Sequence, residues 1–267
     1  MSPVPRARVL LNTPQIELWP ADLLRARGNR DARLLARATW VLRRKRDGRY
    51  LAAAVPDGLV TLLPGWQRDT CADAALDLLD AAASRALTPT AGLLPIEDLQ
   101  ARLDALGLDA DTYAAKTGLP LVPEPAQLAF AGVDRYRRPL WLTRAAARAW
   151  THLREAAQRD GVVLEAVSGY RSHDYQLGIV ERKRARGLDL DAILAVNAAP
   201  GFSEHHAGTA LDISTPGEPA AEASFEATPA FAWLQRNAGQ HGFAMSYPRD
   251  NPHGIVYEPW HWNHRGV

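Results

Sequence analysis

Cysteine is almost absent from this sequence, with one, Cys71, in 267 residues. A single thiol excludes an intramolecular disulfide framework and a thiolate zinc site, which needs several Cys or His at short spacing. Cys71 therefore reads as a small core residue. Histidine is missing before His152, and all eight lie at or beyond it, so imidazole chemistry is confined to the second half. No apolar run reaches the ~20 residues of a membrane span. Met1 to Asn12 carries arginines but no apolar stretch resembling a signal peptide. As written, the chain is expected to stay in the cytoplasm, with lysis or a specialised secretion system as routes of release.

Net charge is also scarce. Thirty-one Lys/Arg against thirty Asp/Glu give +1, so the balance calls for neither nucleic acid nor a membrane as partner. Its distribution is uneven: residues 1–50 hold twelve basic and four acidic side chains, and 51–118 hold four basic and ten acidic. Such opposed segments can attract each other. The run Arg43-Arg44-Lys45-Arg46 reads as a solvated strand end or loop, since a nucleic-acid patch needs more than four adjacent charges.

What is present suits a globular α+β protein. A hydrophobic fraction of 47% over this length can build more than one core. Strand-like runs occur at 8–11, 39–42, 50–54 and 59–63, with Pro56-Asp57-Gly58 as a turn. Helical patterns follow at 72–83 and 96–106, the second placing Leu99, Leu103 and Leu106 on one face. Pro120, Pro123 and Pro125 mark a linker. The expected organisation is an N-terminal α+β domain at 1–118, a linker at 119–132 and a second domain at 133–267, with 118 onward able to fold alone. In that second domain Thr143 is a plausible N-cap for a helix closed by Gly161, and Val162 to Val167 reads as a buried strand delivering Ser168-Gly169-Tyr170-Arg171-Ser172. A helix is expected over 176–186.

Two stretches carry chemistry. Ser203 to Asp212 sets His205 seven residues before Asp212, both good zinc donors, with Gly208 permitting a close backbone approach between them. His206 offers the same chemistry one residue later. Near the C-terminus stands Glu258-Pro259-Trp260-His261-Trp262. Pro259 rules out a helical HExxH arrangement, so Glu258 and His261 must converge from an irregular or edge strand with a bulge at Pro259-Trp260. Two His and one Asp leave a fourth tetrahedral position for water, the pattern of a catalytic zinc. His173, His241, His253 and His264 read as surface or loop residues.

These motifs resemble the zinc D-alanyl-D-alanine carboxypeptidases of the vancomycin-resistance type, which share a fold with the hedgehog signalling domain and some phage endolysins. The matching stretches are Ser168 to Ser172 with Gln176 following, Ser203 to Asp212 as S-x-H-x-x-G-x-A-x-D, and Ser246-Tyr247-Pro248 leading to Glu258-Pro259-Trp260-His261. They cover roughly Val133 to Gly266. The resemblance implies a hedgehog/DD-peptidase-like domain with a small antiparallel sheet, and zinc held by His205, Asp212 and His261. It further implies Glu258 as general base, Arg171 as the cation that steadies substrate and oxyanion, and Gln176 and Ser203 as substrate contacts. The implied substrate is a peptidoglycan stem peptide or muropeptide, cut at a C-terminal D-amino acid by D,D or L,D hydrolysis. An endolysin-like endopeptidase and a zinc-stabilised binding module are the alternatives. Ser246, where many relatives carry Arg, and the first 118 residues fall outside the pattern.

Overall fold

The computed structural model describes residues 8–83, 92–96 and 99–266. The first half forms β1 (Val9–Asn12), β2 (Ile16–Pro20), α1 (Asn29–Arg37), β3 (Trp40–Arg44), β4 (Tyr50–Val55), β5 (Gly58–Thr61) and α2 (Ala72–Ala83). Short helices α3 (Leu99–Asp104) and α4 (Ala110–Thr117) then lead to β6 (Gln127–Val133) and β7 (Pro139–Leu142). Residues 97 and 98, in the first turn of the helix expected at 96–106, lie outside the described residues.

All seven strands join one antiparallel sheet in the order β5-β4-β3-β2-β1-β6-β7. The stretch 119–132, expected as a linker, thus contains all but the last residue of β6, which pairs with β1 through Leu10 and Leu128 and with β7 through Ala129 and Leu142. The regions read as separate modules share this sheet. Helix α2 covers one face, burying Cys71, Ala72 and Ala75 against Leu11, Ile16, Leu18, Leu42 and Leu51.

The basic run at 43–46 is not solvated throughout. Arg44 and Lys45 are buried, because carboxylates meet them: Asp47 of the adjoining turn and Asp69 for Arg44, and Glu124 for Lys45. A buried charge is tolerated only with such partners.

In the second half, Thr143 caps α5 (Arg144–Arg159), its hydroxyl accepting from the Ala146 N–H at 3.3 Å. Helix α5 buries Ala146, Trp150 and Leu153, in a core shared with Leu140 and Leu142 of β7. Burying one such indole contributes on the order of 3 kcal/mol. There follow β8 (Glu165–Ser168), α6 (His173–Ala185), α7 (Leu190–Leu194), β9 (Ala210–Ser214), α8 (Pro229–Asn237), β10 (Phe243–Met245) and β11 (His261–His264). Strand β8 starts later than the apolar run at 162–167 suggests. The Val162 N–H returns to the Ala157 carbonyl to finish the helix end, and Val163 is exposed.

Strands β8 to β11 form a four-stranded antiparallel sheet in the order β10-β11-β9-β8, giving the expected α+β fold with a small antiparallel sheet. No helix among the described residues is long and apolar enough to cross a membrane.

Candidate metal centre

Strand register assembles the site. Asp212 in the middle of β9 lies opposite Ser168 of β8 on one side and His261 of β11 on the other. His205 comes from a short 3₁₀ turn just before β9, which ends at Gly208 in the left-handed region, φ +66°. A Cβ on Gly208 would lie 2.4 Å from a Leu128 methyl, so only glycine lets this turn approach β6. One oxygen or nitrogen from each of His205, Asp212 and His261 lies within 4.8 Å of the others, and all three residues are buried.

The protonation pattern fits a cation at their centre. His205 Nδ1 lies 2.7 Å from the Gly169 carbonyl, which can only accept, so Nδ1 carries the proton and Nε2 is a bare lone pair. That Nε2 is buried, lacks a hydrogen-bond partner and stands 3.3 Å from Asp212 Oδ1. His261 Nδ1 stands 3.2 Å from the same oxygen, while its Nε2 meets Glu204 Oε2 at 2.9 Å. Lone pairs facing one another at these distances are reconciled by a positive ion between them. A nitrogen, nitrogen and oxygen donor set with one position open to the cavity is a zinc-type catalytic set.

Electrostatics agree. Burial and the nearby Arg171 charge push the His205 imidazole down to about 4, keeping it neutral and able to ligate. Burial opposes charge on His261, yet the Asp212 and Glu204 carboxylates outweigh it and raise His261 to about 10. The same carboxylates that favour a proton on His261 favour a metal cation in its place. Glu204 escaped the sequence reading. Its place on His261 Nε2 is that of a carboxylate orienting a ligand histidine, and its only signal was adjacency to His205.

Glu258 sits beside the set, Oε2 at 3.9 Å from His261 Nδ1, and burial raises its carboxyl to about 7. The geometry departs from the expected strand bulge. The His261 N–H donates to the Glu258 carbonyl at 3.1 Å, so Glu258-Pro259-Trp260 forms a turn ahead of β11, which swings both side chains to one side.

A cavity of about 250 Å³ opens onto these groups, lined also by Arg171, Lys183, Ser203 and Tyr247. Arg171 and Ser203 thus face the same cavity as the metal-ligand set. Gln176 does not line it. It is buried behind Ala198, donating to that carbonyl at 2.8 Å, and holds the cavity wall. Lys183, on α6, is a second cation that no motif signalled.

The alternative ligand His206 faces away. Its Nδ1 donates to the Arg171 carbonyl at 2.7 Å, and its Nε2 accepts from the Gly201 N–H at 3.1 Å. It packs edge-on against His173, with centroids 4.4 Å apart. His173, read as a surface residue, is buried; its Nε2 bonds the Val122 carbonyl, because α6 is docked under the first half of the chain.

A D-alanyl-D-alanine carboxypeptidase family model matches residues 139–267. The Bacillus subtilis protein YodJ is 34% identical over 184 residues, covering 64% of this chain and 63% of that protein. A D-alanyl-D-alanine carboxypeptidase of Enterococcus faecalis is 33% identical over 123 residues, 42% of this chain and 44% of its own. The solved LdcB LD-carboxypeptidase aligns at 31% identity and a TM-score of 0.48, covering 54% of this chain and 70% of that one. The chain spans less than two thirds of the length of these two curated relatives. The region 139–267, which holds the His205, Asp212 and His261 cluster, is thus the part of the chain that matches the D-alanyl-D-alanine carboxypeptidase family.

Proposed function

We propose that this protein is a zinc-dependent carboxypeptidase that removes the C-terminal D-amino acid from peptidoglycan stem peptides. The observation that carries the proposal is the grouping, in one cavity, of the His205/Asp212/His261 set with a buried acid, Glu258, and two cations, Arg171 and Lys183. Bound by those three ligands, zinc supplies a Lewis acid for the scissile carbonyl and lowers the pKa of water to ~7.

The chain's own residues do the rest. Glu258 takes a proton from the attacking water and returns it to the leaving amine, a task suited to a carboxyl that burial holds near neutral pH. Arg171, fixed through its backbone N–H to the His205 carbonyl at 3.2 Å, offers its guanidinium to the oxygen on which negative charge grows. Lys183 is placed to receive the terminal carboxylate that marks a carboxypeptidase substrate. An endopeptidase has no such carboxylate to bind, and a binding module has no use for a general base.

The test is hydrolysis of defined muropeptides followed by mass spectrometry. Loss of one C-terminal residue from penta- or tetrapeptides supports the reading and assigns D,D or L,D preference. Cleavage only within the stem establishes the endopeptidase, and unchanged masses with bound zinc establish the binding module.

A further inference from the structure

A second and larger cavity, about 600 Å³, lies between the first sheet and the loop joining β8 to α6. The carboxypeptidase family model begins at residue 139, so the wall from β2, β3 and the segment after β2 lies outside it. Six arginines line this groove. Arg43 is committed to Glu17 at 2.5 Å and Arg138 to Asp134 at 2.6 Å, and those carboxylates are the two acids of the lining. Arg25, Arg27, Arg137 and Arg171 have no ion-pair partner among the described residues.

Two buried donors in the same lining, Arg171 Nε and Trp141 Nε1, have no hydrogen-bond partner. Unmet buried donors are costly, so they mark where acceptor oxygens belong. Arg137 is presented by a tight turn. Its φ is +61°, its N–H closes on the Asp134 carbonyl at 2.9 Å, and Asp134 Oδ1 accepts the N–H groups of Tyr136 and Arg138. A fixed turn holding an unpaired guanidinium at the rim suits recognition of an anion.

Arg171 lines both cavities. Arg171 is thus the place where the linings of the metal cavity and the groove meet. We propose that the groove binds the acidic part of the substrate peptide N-terminal to the scissile bond, its carboxylates meeting Arg25, Arg27 and Arg137. The direction of the peptide rests on the peptidase reading; the anion site does not.

The experiment titrates the full-length Glu258→Gln protein with a stem peptide bearing a free carboxylate on its acidic residue, and with the twin in which that group is an amide. The acid form is expected to bind about 10-fold tighter, the scale of one charge-assisted pair. In Arg25→Gln/Arg27→Gln/Arg137→Asn on the same background the preference disappears while the amide peptide binds unchanged. Asparagine is chosen at 137 because it tolerates positive φ. Equal affinity for the two peptides overturns the proposal, as does a preference that survives the triple variant. A single-stranded oligonucleotide that binds more tightly than the acid peptide through the same arginines also overturns it, since aromatic and cationic linings suit such strands. Acid-selective binding by a wild-type protein that cleaves neither peptide keeps the groove and removes the peptidase.

Discussion

Lys45 and Glu124 form an ion pair of 2.6 Å in which both side chains are buried, and Glu124 carries the link from this pair to the loop between β8 and α6. Glu124 also accepts the Tyr170 hydroxyl and, at 2.8 Å, the His173 N–H. The residues on both sides of the Arg171-Ser172 pair are thereby tied to a carboxylate whose counter-ion lies at the end of β3. The position of the cationic side chain in the cleft depends on a lysine more than a hundred residues away in sequence.

Removing Lys45 leaves Glu124 charged and unpaired. Lys45→Met is expected to cost ~3–5 kcal/mol, the scale of breaking a buried pair from one side, read as a lower urea midpoint. Where the variant still folds, kcat falls while bound zinc stays, because the loop and not the ligand set is disturbed.

The same pair sets a pH dependence. Burial opposes charge on Glu124, but Lys45 and its other partners hold its carboxyl down to about 2, below the ordinary 4.5. A lowered folded-state value means this stabilisation is complete above pH ~4.5 and is lost as pH falls towards ~2. Urea unfolding of wild type at pH 6 and pH 3 is expected to show a larger loss than in Glu124→Gln, which has no proton to take up. Equal losses would remove Glu124 as the source.

Lys183 supplies a test of terminal-carboxylate binding. Lys183→Met is expected to raise KM about 10-fold or more for a peptide with a free C-terminus, as for loss of a charge-assisted contact. A C-terminally amidated peptide should bind both forms alike. An unchanged KM ratio places the carboxylate elsewhere.

Cutting the chain at 119 removes β1 from β6 and Lys45 from Glu124. The fragment 119–267 is expected to be aggregation-prone, since it bares the β6 edge and an unpaired buried acid. A soluble fragment with native circular dichroism would show that the shared sheet is dispensable.

The half that carries the metal-ligand set was legible in the sequence because its determinants are local. Thr143 and Gly161 bracket α5, and the spacings from His205 to Asp212 and from Glu258 to His261 each lie within one turn-strand unit. The sharing of the first sheet was not. Strand β6, Gln-Leu-Ala-Phe-Ala-Gly-Val, follows three prolines and carries small residues at alternate positions, so its strand signal is weak beside its turn signals. Burial of Lys45 was invisible for a different reason. A basic run reads as solvated unless its counter-ion is known, and Glu124 meets it only through tertiary pairing. Glu204 and Lys183 were missed likewise, because their roles come from the fold that brings them to His261 and Arg171.

In the proposed mechanism Glu258 moves the proton and holds no metal. Glu258→Gln keeps the shape of the side chain and much of its hydrogen bonding but cannot accept a proton. The decisive measurement is zinc content and single-turnover hydrolysis of this variant side by side with wild type. The expected result is about one zinc per chain, unchanged substrate affinity and a loss of at least ~10²-fold in the hydrolytic step. Loss of zinc would make Glu258 a ligand, and retention of both zinc and most of the activity would contradict the mechanism.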